Sequence, residues 1–170
     1  KNGQKLSLPH YADYLKNFRS GRSQKLFMNI HSSHIGVFKQ LRPFLPPVTE
    51  ASILLRKDII KQAVSYYIAS ATGNWSSKYR RTDESLPFDS VAITQKLIAI
   101  NQGVKRNFEE FSTSSKVIFY EDYLNDKKYF ASMNGVKRSK DHKTITKKQA
   151  TGINNQFIRR YLDVVEKTKN

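Results

Sequence analysis

Arg56 and Ser65 are the residues in this chain best suited by type and place to grip an anion. Arg56 ends the short apolar run Ile53-Leu54-Leu55, and Ser65 falls two turns into the helical pattern that follows. A guanidinium offers a bidentate fork and a hydroxyl a single donor, so the two can hold a phosphate from two sides. A strand running into a helix also brings the helix's first amides to the same crevice. The same residues have a local use, with Arg56 paired to Asp58 and Ser65 packed within its helix.

Other side chains have chemistry to offer. His31 and His34 follow an apolar run, where an imidazole can take a hydroxyl proton near neutral pH; the alternative is a structural or surface role. Their spacing does not make a metal pair, because no cysteine or carboxylate completes a set. Trp75 is the only tryptophan. It either stacks on a sugar ring beside an acceptor site or plugs the core after the helix.

Charge points the same way as Arg56. The chain of 170 residues has 30 Lys and Arg against 14 Asp and Glu, a net charge of +16. This favours an anionic partner: a nucleotide, a nucleic acid, a sulfated or phosphorylated substrate, or a membrane surface. A solvated lysine-rich surface is the plainer account. Cysteine is absent, which excludes disulfides and thiolate metal sites and fits a reducing, cytoplasmic setting. No apolar run is long enough for a membrane span, and no signal-peptide pattern opens the sequence. Lys1 in place of a methionine gives the expectation that the sequence begins inside a longer protein.

These residues must be positioned by a regular framework. One domain over 1–170 is the expectation for this length. His10 to Phe18 places Tyr11, Tyr14, Leu15 and Phe18 on one helical face. Leu26 to Ile30 reads as a strand, and Ile35, Phe38, Leu41 and Leu45 as a helical stripe ended by Pro43 and Pro46-Pro47. Ile53-Leu54-Leu55 is apolar without alternation, as in a strand covered on both faces. Asp58 opens a helix whose broad apolar face is Ile59, Ile60, Ala63, Val64, Tyr67, Ile68 and Ala71, and Thr72-Gly73-Asn74 closes it. Residues 76–89 form a polar loop long enough to face a substrate. A long helix over Ser90–Phe111 keeps its period through Val91, Gln95, Ile98, Val104, Phe108 and Phe111. Val117 to Tyr120 is a third strand, followed by a helix with Tyr123, Leu124 and Phe130. Residues 134–148 make a basic loop, and a last amphipathic helix carries Ile153, Phe157, Tyr161, Leu162 and Val165. Such alternation implies an α/β fold with a parallel sheet flanked by helices, three strands thick and completed by a missing N-terminal strand.

The stretch Leu54-Leu55-Arg56-Lys57-Asp58 to Trp75 resembles the PAPS-dependent sulfotransferases of the bacterial trehalose-sulfotransferase type, PAPS being 3′-phosphoadenosine-5′-phosphosulfate. Their signature is a hydrophobic strand, then R-x-D-x-x-x-Q-A-V-S, then A-x-x-T-G-x-W. Arg56, Asp58, Gln62, Ala63, Val64, Ser65, Ala69, Thr72, Gly73 and Trp75 fall in register. Val64-Ser65-Tyr66-Tyr67 is also similar to a motif of the animal cytosolic enzymes. Two further stretches agree: Tyr120-Glu121-Asp122-Tyr123-Leu124 with a strand-end Y-E-D/E-L segment, and Lys148-Gln149-Ala150-Thr151-Gly152-Ile153-Asn154 with a helix start of the form Q-A-x-x-x-N.

The resemblance implies a P-loop-NTPase-like sulfotransferase fold, N-terminally incomplete. It implies transfer of a sulfuryl group from PAPS to a hydroxyl of a carbohydrate or glycolipid acceptor, with no metal required. By carry-over, Arg56 and Ser65 hold the 3′-phosphate, with Lys148 and Gln149 as further cofactor-binding residues. Trp75 is the candidate on the substrate side, and the 137–148 loop could close over the nucleotide. The family's Ser/Thr/Gly-rich phosphosulfate loop and its proposed base are absent from this sequence, which holds no G-x-x-x-x-G-K-[ST]. His31 and His34 are the substitutes for the base. Dimers occur in the family, so a homodimer is a further expectation. The rival readings are a basic nucleic-acid-binding module and an inactive sulfotransferase remnant.

Overall fold

A computed structural model describes residues 7–17, 28–75, 86–111, 115–125 and 152–169. It is a mixed α/β chain, mostly helical, with a small parallel sheet of two strands among the described residues. The helices are α1 (Leu8–Asn17), α2 (Ile35–Leu41), α3 (Ile59–Thr72), α4 (Ser90–Phe111), α5 (Tyr120–Asn125) and α6 (Gly152–Lys167). Short 3-10 turns, Ser32–His34 and Arg42–Phe44, flank α2, and the strands are β1 (Ala51–Leu55) and β2 (Ser115–Phe119). No helix among the described residues is long and apolar enough to cross a membrane.

The chain divides into two compact units, Lys1–Ile53 with Gly103–Lys116, and Leu54–Gln102 with Val117–Asn170. In the first, α1 lies against α2. Ile35, Phe38 and Leu41 are buried at the helical spacing the sequence predicts, and Phe38 meets Phe111 at a ring separation of 5.5 Å. Glu110, its carboxylate only 7% exposed, holds both Lys39 at 3.2 Å and Arg42 at 2.6 Å. Among the described side chains of α1 the buried one is Ala12, while Tyr11 and Tyr14 stack on one another and stay exposed. Along the described part of α1 the small Ala12 makes the close approach in place of the two phenols, and Phe18 lies outside the described residues.

In the second unit α3 packs against α6. Ala63, Val64, Tyr67, Ile93, Phe157 and Tyr161 form the buried core. Burying such side chains stabilises by about 1.5–3 kcal/mol for each large one, which is why the apolar face of α3 fixes its rotation. Polar ends are satisfied: Tyr67 donates its hydroxyl to the Pro87 carbonyl at 2.7 Å, and Thr94 and Tyr161 share a hydrogen bond of 2.8 Å. The caps follow the sequence. Asp58 accepts the Lys61 amide at 2.8 Å to start α3, and Gly73 ends it at φ 70°. That left-handed position favours glycine, which has no Cβ to clash. Asp89 caps α4 by accepting the Ala92 amide at 2.9 Å.

Five expectations are corrected. Met28–Ile30 is not strand, and Leu26 and Phe27 lie outside the described residues. The sheet has two strands among the described residues, not three. β1 is not covered on both faces: Ile53 is buried but Leu54 is 57% exposed, so burial alternates along it as in a half-buried strand. On the N-terminal half of α4, Val91, Gln95 and Ile98 face solvent, and Ile93, Leu97 and Ile100 supply the core side. A helix's rotation is set by what it packs on, and the two stripes there are of similar apolarity. The third expected strand is shifted, running over Ser115–Phe119, and Tyr120 already belongs to α5.

Candidate anion-binding site

Arg56 is the first residue past β1, and α5 meets it there. Its Nε lies 3.6 Å from Glu121 Oε1, and its guanidinium carbon stands 4.1 Å above the Tyr120 ring. Glu121 Oε2 accepts the Lys57 amide at 3.0 Å, and Lys57 Nζ reaches Asp122 Oδ1 at 2.5 Å. The turn Tyr120-Glu121-Asp122 therefore clamps Arg56-Lys57 through one stacked face, two ion pairs and a backbone-amide hydrogen bond. Arg56 is engaged along its Nε edge, while Nη1 and Nη2 meet no hydrogen-bond acceptor among the described residues. A guanidinium held in this way has its outer fork free for an oxyanion, and a cation over an aromatic face stays oriented.

The expected local partner does not pair with it. Asp58 turns its carboxylate to the Lys61 amide and caps α3. The first amides of α3 are therefore partly satisfied from within, and the anion-binding capacity of this crevice rests on side chains more than on the helix start.

Ser65 sits on α3, half-buried, and Asn154 from α6 donates its amide to Ser65 Oγ at 3.1 Å. Asn154 itself is only 5% exposed. Because the Asn154 donor occupies a lone pair of the serine oxygen, the hydroxyl proton of Ser65 is left to point elsewhere and donate. Arg56 and Ser65 are thus each held by a residue distant in sequence, in a state suited to giving hydrogen bonds.

Trp75 does not plug the core. It is 64% exposed, its amide bonds back to Gly73 O at 3.1 Å, and its ring meets Tyr66 edge-on at 5.8 Å. Lys96 Nζ lies 4.7 Å from the centre of the same Tyr66 ring. His31 and His34 belong to the first unit, both exposed, with ring centres 6.0 Å apart and His31 Nδ1 3.0 Å from Ser33 Oγ. Lys148 and Gln149 lie outside the described residues, as do the 134–148 loop and residues 76–85. Among the described residues no three metal-ligating side chains gather.

Sequence reasoning missed Lys57, Glu121 and Asn154 as working parts. The signal was present: Glu121 lies in the Tyr120-Glu121-Asp122 stretch and Asn154 ends the stretch from Lys148. What the sequence lacked was the pairing, since Arg56 finds its carboxylate 65 residues away and Ser65 its amide 89 residues away. No protein-family model, no curated protein and no solved structure matches the chain.

Proposed function

We propose that this chain is a PAPS-dependent sulfotransferase, or the nucleotide-binding part of one, acting on a hydroxyl of a carbohydrate or glycolipid, with a P-loop-NTPase-like sulfotransferase fold. One observation carries the reading. The three stretches that resemble the family, far apart in sequence, meet through their polar side chains: Arg56 with Tyr120 and Glu121, and Ser65 with Asn154. Nothing in spacing alone requires those pairings.

Bound PAPS supplies a sulfuryl group: the acceptor oxygen forms a bond to sulfur, the bond from sulfur to the nucleotide phosphate breaks, and adenosine 3′,5′-bisphosphate leaves. The residues of this chain act by binding and alignment. Arg56 gives its Nη fork to the 3′-phosphate, and Ser65 gives its hydroxyl proton to the same group. Glu121 and Tyr120 keep Arg56 from rotating, and Asn154 keeps Ser65 a donor. The acceptor's proton leaves to a base, for which the sequence offers His31 and His34. Trp75, exposed and held at its backbone, offers a ring face to a sugar.

Titration of adenosine 3′,5′-bisphosphate by calorimetry tests the reading. Arg56→Ala should weaken binding by about tenfold or more, the scale of a lost charge-assisted hydrogen bond, and Ser65→Ala by several-fold. Equal affinity in Arg56→Ala and the parent removes it. The net charge of +16 favours nucleic acid as the second reading. In that case RNA should bind with steep salt dependence, indifferent to Arg56→Ala, and the nucleotide should not compete.

A further inference from the structure

The first unit contains a groove of about 370 Å³ lined by Ser32, Ser33, Lys39, Arg106 and Glu109 together with Ile35 and Gly36. It shares no residue with the Arg56 and Ser65 site. A Cβ on Gly103 would lie 2.8 Å from Ser32 Oγ and 4.0 Å from Arg106 Nη2, so the glycine lets Ser32 pack directly on the α4 backbone near Arg106.

The charges around this groove are unequally satisfied. Lys39 and Arg42 share Glu110, Lys105 reaches Glu109 at 3.9 Å, and Lys116 reaches Glu50 at 3.0 Å. Arg106 has no acidic partner among the described residues, and Ser32 Oγ has no hydrogen-bond partner among them. Arg106 is exposed enough to be solvated, yet it lines the same groove as the unclaimed Ser32 hydroxyl. Lys39 adds a second cation to the lining. This donor set suits a tetrahedral oxyanion. Glu109 on the same wall disfavours a bare anion filling the groove but accepts hydroxyl donors. The volume also exceeds what one tetrahedral anion occupies.

We infer that this groove binds a phosphate or sulfate monoester of a polyol or sugar. The ester oxygens take Arg106, Ser32 and Lys39, and the hydroxylated body lies toward Glu109.

Calorimetric titration of the full chain with glucose 6-phosphate, glucose 6-sulfate, inorganic phosphate and glucose tests the inference. Saturable binding of either ester is expected, with the preferred ester naming the source of the oxyanion. Arg106→Ala should weaken it about tenfold, the scale of a lost charge-assisted contact, and Arg106→Lys less. Arg56→Ala should leave it within about twofold, since that residue belongs to the other site. Absence of saturable binding by the parent overturns the inference. So do equal affinity in Arg106→Ala, a loss that follows Arg56→Ala instead, and inorganic phosphate binding as tightly as the esters. Adenosine 3′,5′-bisphosphate affinity, measured on the same variants, reports separately on the first site.

Discussion

Asn154 donates its side-chain amide to Ser65 Oγ at 3.1 Å, from a position only 5% exposed. A buried donor of this kind has a defined effect on a serine: it makes the oxygen an acceptor on one side and frees the proton on the other. Substitution separates this role from simple packing. Asn154→Ala should weaken adenosine 3′,5′-bisphosphate binding by a few-fold. Asn154→Asp should weaken it more, because a carboxylate takes the Ser65 proton for itself and adds a negative charge beside the phosphate. Calorimetry well below the unfolding temperature of each variant reads the order. An Asp variant that binds as well as the Ala variant would remove the role given to the Ser65 proton.

Much of the framework around this pair was legible from sequence, and the reasons are local. Asp58 and Gly73 bound α3 because capping chemistry acts within a few residues. α4 runs from Ser90 to Phe111 as its periodicity predicts, and the stripe of Ile35, Phe38 and Leu41 is buried. What was not legible depends on distant partners. Arg56 had a carboxylate two residues away, and spacing offered no reason to prefer Glu121. Val91 and Ile98 are as apolar as the Ile93 and Leu97 that α4 turns inward, so only the neighbouring helices decide its rotation. Leu54 has an apolar sequence context like that of a doubly covered strand, yet it is exposed because burial follows what lies over a strand and not its own composition.

Glu121 plays two opposed roles toward Arg56. Its carboxylate orients the guanidinium, and its charge opposes any anion brought to the free fork. Glu121→Gln retains an oxygen for the Lys57 amide and removes the charge, so nucleotide affinity should rise, by about three- to tenfold at separations of several ångströms. Glu121→Ala releases Arg56 as well and should not show that gain. Calorimetry on both variants against the parent checks the pair, and a gain in the Ala variant equal to that in the Gln variant would mean that orientation is unimportant.

Trp75 is the only tryptophan, so fluorescence excited at the red edge, past the absorption of the nine tyrosines, reports on this site alone. With the ring 64% exposed, emission should lie near that of indole in water and be strongly quenched by iodide. Trp75→Ala should change stability by no more than about 0.5 kcal/mol, as for surface substitutions away from the core. A sugar acceptor that stacks on the ring should shift the emission and protect it from iodide. Blue emission in the free protein, or a stability loss of core size, would contradict the exposed placement.

Tyr67 links the core to pH. Burial, with Asp89 as a second cause, raises its hydroxyl above the ordinary value of 10.0, and the same hydroxyl donates to Pro87 O at 2.7 Å. A raised value in the folded state means that the unfolded chain loses this proton first as pH climbs. The contribution is therefore fully present below pH 10.0 and declines as the pH passes that value toward the folded-state one. Tyr67→Phe should lose the hydrogen bond, at about 0.5–1.5 kcal/mol near neutral pH. Above pH 10 the gap between Tyr67→Phe and the parent should narrow, since the variant has no proton to lose there. Urea unfolding of both proteins at neutral pH and across the alkaline range measures it, and a gap that stays constant with pH would mean that this hydroxyl ionises alike in the folded and unfolded states.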